Sequence, residues 1–511
     1  MDVVYKTLTE NWILIVPELV LLAVATANVL GGFYIRGRGA WACFALLGLL
    51  LAGYLLIAKV PERFPSHWVS SASLFMTDEL RWLLRCTNFI IGGTLTLIFW
   101  GQIADDYAAE FYSCLLGMIA GVGVVIAAYD LVVLFLALET VSIPTYIALY
   151  VLRRDNSGLE ATIKYFLLSV LASSVFVFGV SLLYAETGRT NYLQIQLALS
   201  ESVNGGYLLL SGVLIMGGLS FRIAAVPLHF YAPDVFAGTH PAGAALLAVV
   251  PKTVGLAAIM QLLMDIYGSS AGLASDGLSV VQVLLLTAGI LAGASMLLGN
   301  VVGLLQNELY RLLAYSSIAH AGYMLVGLAA GAEGDPVSGY AAVVFYLGTY
   351  IAMSLGVFAG LLCVRQDGKL LGYIDELAGL GQQRPVLALF LALSLFSLTG
   401  LPPTMGFWGK VNLFLAAWYA PSGQNLLRYL AVFLAINAAI GAWYYLRVIG
   451  VMYLRQPIKP FDKVEDAPAL GACVFCTILT ITLFFQPQWW WEPIERAFTA
   501  KQSPTHIGTS R

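Results

Sequence analysis

Five ionisable side chains interrupt stretches that are otherwise apolar. Glu139 lies in DLVVLFLALETVSIPTY, Lys164 in EATIKYFLLS, Arg222 in GGLSFRIAAVP, Lys252 in LLAVVPKTVGLA and Lys410 in GFWGKVNLF. On insertion scales a charge at the centre of a bilayer costs about 2.5–3.5 kcal/mol, while a leucine returns only ~0.5. Each of these positions therefore needs a reason. Glu139 is the ninth residue of its apolar run, too deep for so short a side chain to reach a surface. It faces protein or water, either as half of a static ion pair or as a titrating group. An ammonium can lose its proton inside a protein and a guanidinium cannot. Lys252, directly after Pro251, and Lys410 are thus candidate proton carriers, whereas Arg222 can only tune the field around Glu139. Lys164 has Glu160 one turn earlier, a spacing that suits a helix-end salt bridge as well as a place on a polar path. Ser316 and His320 fall one turn apart on a single helix face, with Ser317 beside them. A histidine there, like His229 in VPLHFYAPD, is either a proton-passing group or a satisfied packing residue. Asp234 reads as a helix cap.

The elements that must hold these groups are membrane helices. Of 511 residues, 59% are hydrophobic and only 11% charged, and the mean hydropathy is +0.83. Stretches of about 20 such residues span a hydrocarbon core as helices. The formal charge of −3 offers no basic surface, which excludes nucleic acid as a partner. Apolar runs long enough to span occur near 12–33, 41–58, 83–101, 112–128, 131–152, 162–185, 206–230, 241–266, 279–301, 309–330, 338–364, 385–407, 428–454 and 469–486. The expected fold is an all-α polytopic membrane protein of about 14 transmembrane helices. The stretches 59–82, 187–205 and 365–384 read as surface loops.

Two runs carry proline near polar residues, SFRIAAVPLHFYAPD (220–234) and SLTGLPPTMGFWGK (397–410). Such broken helices are tolerated only where protein or water replaces the lost backbone partners. Broken helices in corresponding places point to inverted repeats around an ion path. Being five spans apart, these divide the chain into N-terminal helices (1–110), a first five-helix repeat (111–267), a second, inverted one (278–456) and a C-terminal helix and tail (457–511). Arg153, Arg154, Arg311, Arg365, Lys369, Arg384, Arg455, Lys459 and Lys463 fall on one side against Arg189 and Arg428 on the other. Both termini are then expected on the outer face, although Lys59, Arg63 and Arg81 run against the rule. The Trp489–Trp491 cluster reads as an interfacial aromatic belt. Cys473 and Cys476 form a lone CxxC in an apolar run and are read as small packing residues. No metal site, nucleotide loop, flavin fingerprint or iron–sulfur cysteine set is expected.

The strings LFLALETVSIPTYIAL, EATIKYFLLSVLASSVFVFG, FRIAAVPLHFYAPDVFAGTHPAGAALLAVVPK, RLLAYSSIAHAGYMLVG and LTGLPPTMGFWGKVNLF closely resemble the antiporter-like membrane subunits of proton-pumping NADH:quinone oxidoreductase, respiratory complex I. The subunit N branch fits best, over roughly residues 110–455. The resemblance implies a proton-translocating, multi-pass subunit of an energy-transducing inner membrane, bacterial or organellar. It implies a hetero-oligomer with other membrane-arm subunits and surrounding lipid. Flavin, iron–sulfur clusters and quinone are expected in those partners and no cofactor in this chain. It further implies that Glu139 and Arg222 form a modulating pair, that Lys252 is the central proton carrier, that Lys410 serves the second half-channel, and that Lys164 and His320 belong to the polar axis. The family usually has lysine where this chain has Arg222, so a positive charge, and not a titrating group, is expected to suffice there. Two rivals stand beside this reading: a subunit of a cation/proton antiporter complex, and a structural anchor whose buried charges are permanent pairs.

Overall fold

The computed structural model describes residues 12–60, 73–200, 205–267, 280–333, 336–420, 425–464 and 466–502. The described chain is almost entirely helical: α1 (Val16–Gly32), α2 (Arg38–Lys59), α3 (Glu79–Phe99), α4 (Ala108–Ala127), α5 (Leu131–Leu152), α6 (Asn156–Thr187), α7 (Tyr192–Ser200), α8 (Gly205–Arg222), α9 (Tyr231–Gly238), α10 (Pro241–Gln261), α11 (Val280–Leu304), α12 (Leu309–Glu333), α13 (Pro336–Leu362), α14 (Pro385–Thr399), α15 (Met405–Trp418), α16 (Asn425–Leu454), α17 (Ala467–Phe485) and α18 (Gln488–Gln502). Among the described residues, eleven helices are long and apolar enough to cross a membrane, and Val16–Gly32, Tyr207–Arg222 and Pro385–Thr399 are shorter apolar ones.

Helices dominate because a backbone polar group without a partner is costly in hydrocarbon, and their ends are closed by local side chains. Asp130 accepts from the amides of Val132 and Val133 at the start of α5, and Asp155 from Gly158 at the start of α6. The imidazole of His240 does the same for α10, accepting from Ala242 N at 3.2 Å. Helices α10, α12 and α13 are buried almost throughout, while α5, α6, α11, α16 and α17 turn much of their surface outwards. The inner three thus form a core that carries Lys252, Ser316 and His320. Close approach depends on small residues. A side chain at Gly299 of α11 would meet the backbone of Ala319, and one at Gly322 of α12 the backbone of Met296.

Several local expectations are revised. The run expected at 206–230 is α8 followed by a non-helical turn and then α9. The run 385–407 continues beyond its Gly400–Thr404 break through α15 to Trp418. Residues 187–205 are not all loop, since they include α7, and residues 365–370 pair as a small antiparallel hairpin. Asp234 is not a cap, because it sits in the first turn of α9 and bonds to Lys164 and Arg311. Of the tryptophan cluster only Trp489 is exposed. Trp490 packs on Gly348 and Trp491 lies 5.7 Å from the Phe345 ring, so α18 is fastened to α13.

The N-terminal helices hold two buried ion pairs. Arg85 donates to both carboxylate oxygens of Glu18, at 2.9 and 2.6 Å, and to Leu14 O at 2.8 Å. Arg81 bridges Asp78 and Asp265, at 2.8 and 2.6 Å, fastening α3 to the helical turn Leu262–Tyr267 that follows α10. The Glu18–Arg85 side chains are only 1% and 0% exposed. Removing one partner of such a pair strands the other charge, whereas replacing both is tolerated. Arg85→Met is therefore expected to cost about 3–5 kcal/mol, read as a lower unfolding temperature of the purified assembly. Glu18→Leu with Arg85→Met is expected to recover most of that loss.

Candidate functional site

The first break places Arg222 in the last turn of α8, where its charge also suits the exposed carbonyl end of the helix. Its Nη1 donates to Ser142 Oγ at 2.7 Å and its Nη2 to Glu139 Oε1 at 3.3 Å. Ser173 of α6 donates to the same carboxylate oxygen at 2.6 Å. Glu139 and Ser142 are three residues apart on α5, one face of the helix. The groups freed by the break find partners: Val226 N donates to Ser295 Oγ at 2.9 Å, and Tyr231 OH to Phe221 O at 3.0 Å.

Lys252 is enclosed at the centre of α10, 1% exposed. Its ammonium bonds to Ser317 O on α12 and reaches Tyr350 OH of α13 at 3.4 Å, lying 4.6 Å from the centre of that ring. Tyr350 OH in turn donates to Ser317 Oγ at 3.0 Å. One turn further along α12, His320 is ringed by Tyr323, Tyr346, Tyr350 and Tyr445, with centroids 5.2–6.5 Å away. Its Nδ1 bonds to Tyr346 OH at 2.6 Å and its Nε2 to Tyr445 OH at 3.1 Å. Ser316 Oγ bonds to the same Tyr445 hydroxyl.

The second break supplies the next station. Lys410, on α15, bends back to donate to Leu398 O at 2.9 Å and Thr399 O at 2.8 Å, the carbonyls left open at the end of α14. Its ammonium lies 5.2 Å from the Tyr323 ring centre. Gly400, at φ +81°, ends α14 in the left-handed region, and a side chain there would strike Lys410 Cδ. The Tyr346 ring packs against Gly409, next to Lys410. Below the aromatic ring set, Asn300 donates to Tyr323 OH at 3.0 Å and accepts from Tyr444 OH at 3.2 Å.

Thus Glu139 with Arg222 forms one cluster, and Lys252, Ser316, His320 and Lys410 gather around the tyrosines. Lys164 and His229 stand apart. Lys164, 42% exposed, pairs with Glu160 at 2.7 Å and Asp234 at 3.2 Å, and Asp234 continues to Arg311 at 3.1 Å. The Nδ1 of half-buried His229 meets its neighbour Pro227 O at 3.2 Å. Sequence reasoning passed over Tyr346, Tyr350 and Tyr445. The i,i+4 spacing of Tyr346 and Tyr350 in FYLGTY was the available signal, because it puts both hydroxyls on one face. Among the described residues no three His, Cys, Asp or Glu side chains gather as a metal site.

Residues 128–436 match the family described as NADH:quinone oxidoreductase/Mrp antiporter, TM. NADH-quinone oxidoreductase subunit N of Rhodospirillum rubrum is 33% identical over 478 residues, covering 92% of this chain and 93% of the relative. A chain of respiratory complex I from Thermus thermophilus superimposes with a TM-score of 0.76 at 28% identity, covering 93% of this chain and 98% of that one. A chain of the Mrp complex from Dietzia sp. shares the fold, with a TM-score of 0.82 at 19% identity over 97% and 98% of the two chains. With a half-buried Glu–Arg ion pair, two enclosed lysines and two broken helices on a scaffold matched over nearly its full length, the chain belongs to the antiporter-like membrane subunits of NADH:quinone oxidoreductase, in the subunit N family.

Proposed function

We propose that this chain is a proton-translocating membrane-arm subunit of a hetero-oligomeric NADH:quinone oxidoreductase in an energy-transducing inner membrane. Protons pass along Lys252, His320 and Lys410 under the control of the Glu139–Arg222 pair. The observation that carries the reading is the state of the two lysines. Lys252 and Lys410 are 1% and 8% exposed, and among the described residues neither has a carboxylate at ion-pair distance. Their ammonium groups are held by carbonyls and tyrosines instead. A buried lysine without a counter-charge is not locked in its charged form, so its proton can leave and return. Arg222 keeps its charge throughout, and its 3.3 Å contact with Glu139 is long enough to strengthen or loosen.

The eleven long apolar helices and the three shorter ones make fourteen crossings, with α9 and α15 completing the two broken ones. Residues 111–267 and 278–456 are the proposed inverted repeats, between the N-terminal helices at 1–110 and the C-terminal segment at 457–511. Each repeat has its break in its fourth crossing. Glu139 lies in the second crossing of the first repeat and Ser316 and His320 in the second crossing of the other. With the cationic loops inside, both termini lie on the outer face. Moving one charge against 100 mV costs about 2.3 kcal/mol, so the driving energy comes from quinone chemistry in partner subunits, where flavin and iron–sulfur clusters belong. Lys164, with its two carboxylates, is placed at the rim of the path, and His229 beside the first break.

In vesicles containing the assembled complex, Lys252→Ala is expected to abolish proton uptake coupled to quinone reduction. Full pumping by that variant would remove the lysine from the path. A sodium-dependent pH change without NADH or quinone would assign the chain to the antiporter class instead. Arg222→Lys is expected to pump at close to the parental rate and Arg222→Gln several-fold more slowly, both followed by a pH-sensitive dye. Equal rates in the two variants would show that the charge at this position does not matter.

A further inference from the structure

We infer that Tyr445 is a relay residue that carries the proton between Ser316 and His320, a step that rests on the path proposed above and names its least obvious member. Tyr445 comes from α16, more than a hundred residues from its partners, and its side chain is fully buried. Among the described residues its hydroxyl is the group that touches both Ser316 Oγ and His320 Nε2. The imidazole's other nitrogen is committed to Tyr346 OH at 2.6 Å, and the Tyr346 ring lies on Gly409 beside Lys410. A short hydrogen-bonded row therefore runs Ser316–Tyr445–His320–Tyr346 towards the second break.

A tyrosine hydroxyl has one hydrogen and can also accept, and a neutral imidazole donates from one nitrogen and accepts at the other. The row consequently has two fully bonded states. In the first, Ser316 donates to Tyr445, Tyr445 donates to Nε2, and Nδ1–H donates to Tyr346. A proton arriving on Ser316 breaks one O–H or N–H bond and forms one at each member in turn. Tyr445 gives its hydrogen to Nε2 as it takes one from Ser316, and Nδ1 gives its hydrogen to Tyr346, which passes its own onward. One proton enters, one leaves, nothing is oxidised, and the imidazole is left as the other tautomer. It must reorient before the next proton passes. Tyr112 of α4 is as fully buried, and among the described residues its hydroxyl has no hydrogen-bond partner, which makes it a matched control outside the path.

The test uses the assembled complex in proteoliposomes, with NADH oxidation by ferricyanide to show that each variant assembles. Proton flux during quinone reduction is measured in H2O and D2O. Tyr445→Phe and Ser316→Ala are each expected to slow the flux by about tenfold or more and to raise the solvent isotope effect. The double variant is expected to be no worse than either single one, because both break the same link. Tyr112→Phe is expected to stay near the parental rate. Parental flux in Tyr445→Phe, losses that add in the double variant, or an equal loss in Tyr112→Phe would overturn the relay. Lys252→Ala, run in parallel, separates the two levels. If it stops pumping while Tyr445→Phe does not, only the relay fails. If it pumps normally, the underlying path fails as well.

Discussion

The architecture is governed by the intolerance of hydrocarbon for an unpartnered polar group. Breaking a spanning helix exposes carbonyls at the end of one half and amides at the start of the other, and this chain does so twice. At each break a cation sits at the carbonyl end of the first half-helix, Arg222 within α8 itself and Lys410 reaching back to α14 from α15. The dipole of the half-helix and its open carbonyls stabilise the cation, and the cation satisfies them. Charge in the membrane and irregular backbone in the membrane are thus one feature, each making the other tolerable. At the first break Ser295 Oγ also accepts from Val226 N and Tyr231 OH donates to Phe221 O, and at the second Ser397 Oγ accepts from Gly406 N.

The two breaks are nevertheless unequal in chemistry. Arginine at the first holds a fixed positive charge beside Glu139, a carboxylate still 26% exposed, so that cluster can respond to a neighbouring chain. Lysine at the second can change its charge and has no such partner within the described residues. Between them Lys252 and His320 lie in the most enclosed helices, bonded to hydroxyls that both donate and accept. A protonation change in this buried region is felt strongly, because a low-dielectric interior screens charge poorly. In the function proposed above, the first cluster sets a field and the inner groups answer it.

Hydropathy and the cost of buried charge made much of this legible from sequence. The apolar runs, both breaks and the residues Glu139, Arg222, Lys252, Ser316, His320 and Lys410 stand out because each violates the surrounding pattern. Tyrosine does not violate it. Tyr346, Tyr350 and Tyr445 sit in apolar stretches where an aromatic ring is ordinary, and their hydroxyls gain significance only from helices brought together across 26 to 129 positions. The same limit hid the Arg81–Asp265 pair, whose members are 184 residues apart. Arg81 looked like a loop cation breaking the charge rule, but its side chain is buried against two carboxylates. Asp234 was misjudged for a related reason. Next to a turn an aspartate suggests a cap, yet here Lys164 and Arg311 on neighbouring helices compete for it and win.

The N-terminal helices supply an internal standard for what a structural charge looks like in this molecule. Arg81 is buried between two aspartates at 2.6 and 2.8 Å, and Glu18 with Arg85 is matched cation to anion at 2.6–2.9 Å and sealed from solvent. Such pairs cancel their fields locally, and neither partner can change state without stranding the other. Had the chain needed buried charge only to fasten helices, the same device was available in the repeats. Instead Lys252 and Lys410 are buried too, yet held by carbonyls and tyrosines, partners that accommodate the amine with or without its extra proton. An anchor has no use for that tolerance, whereas a group that must bind a proton and let it go requires it.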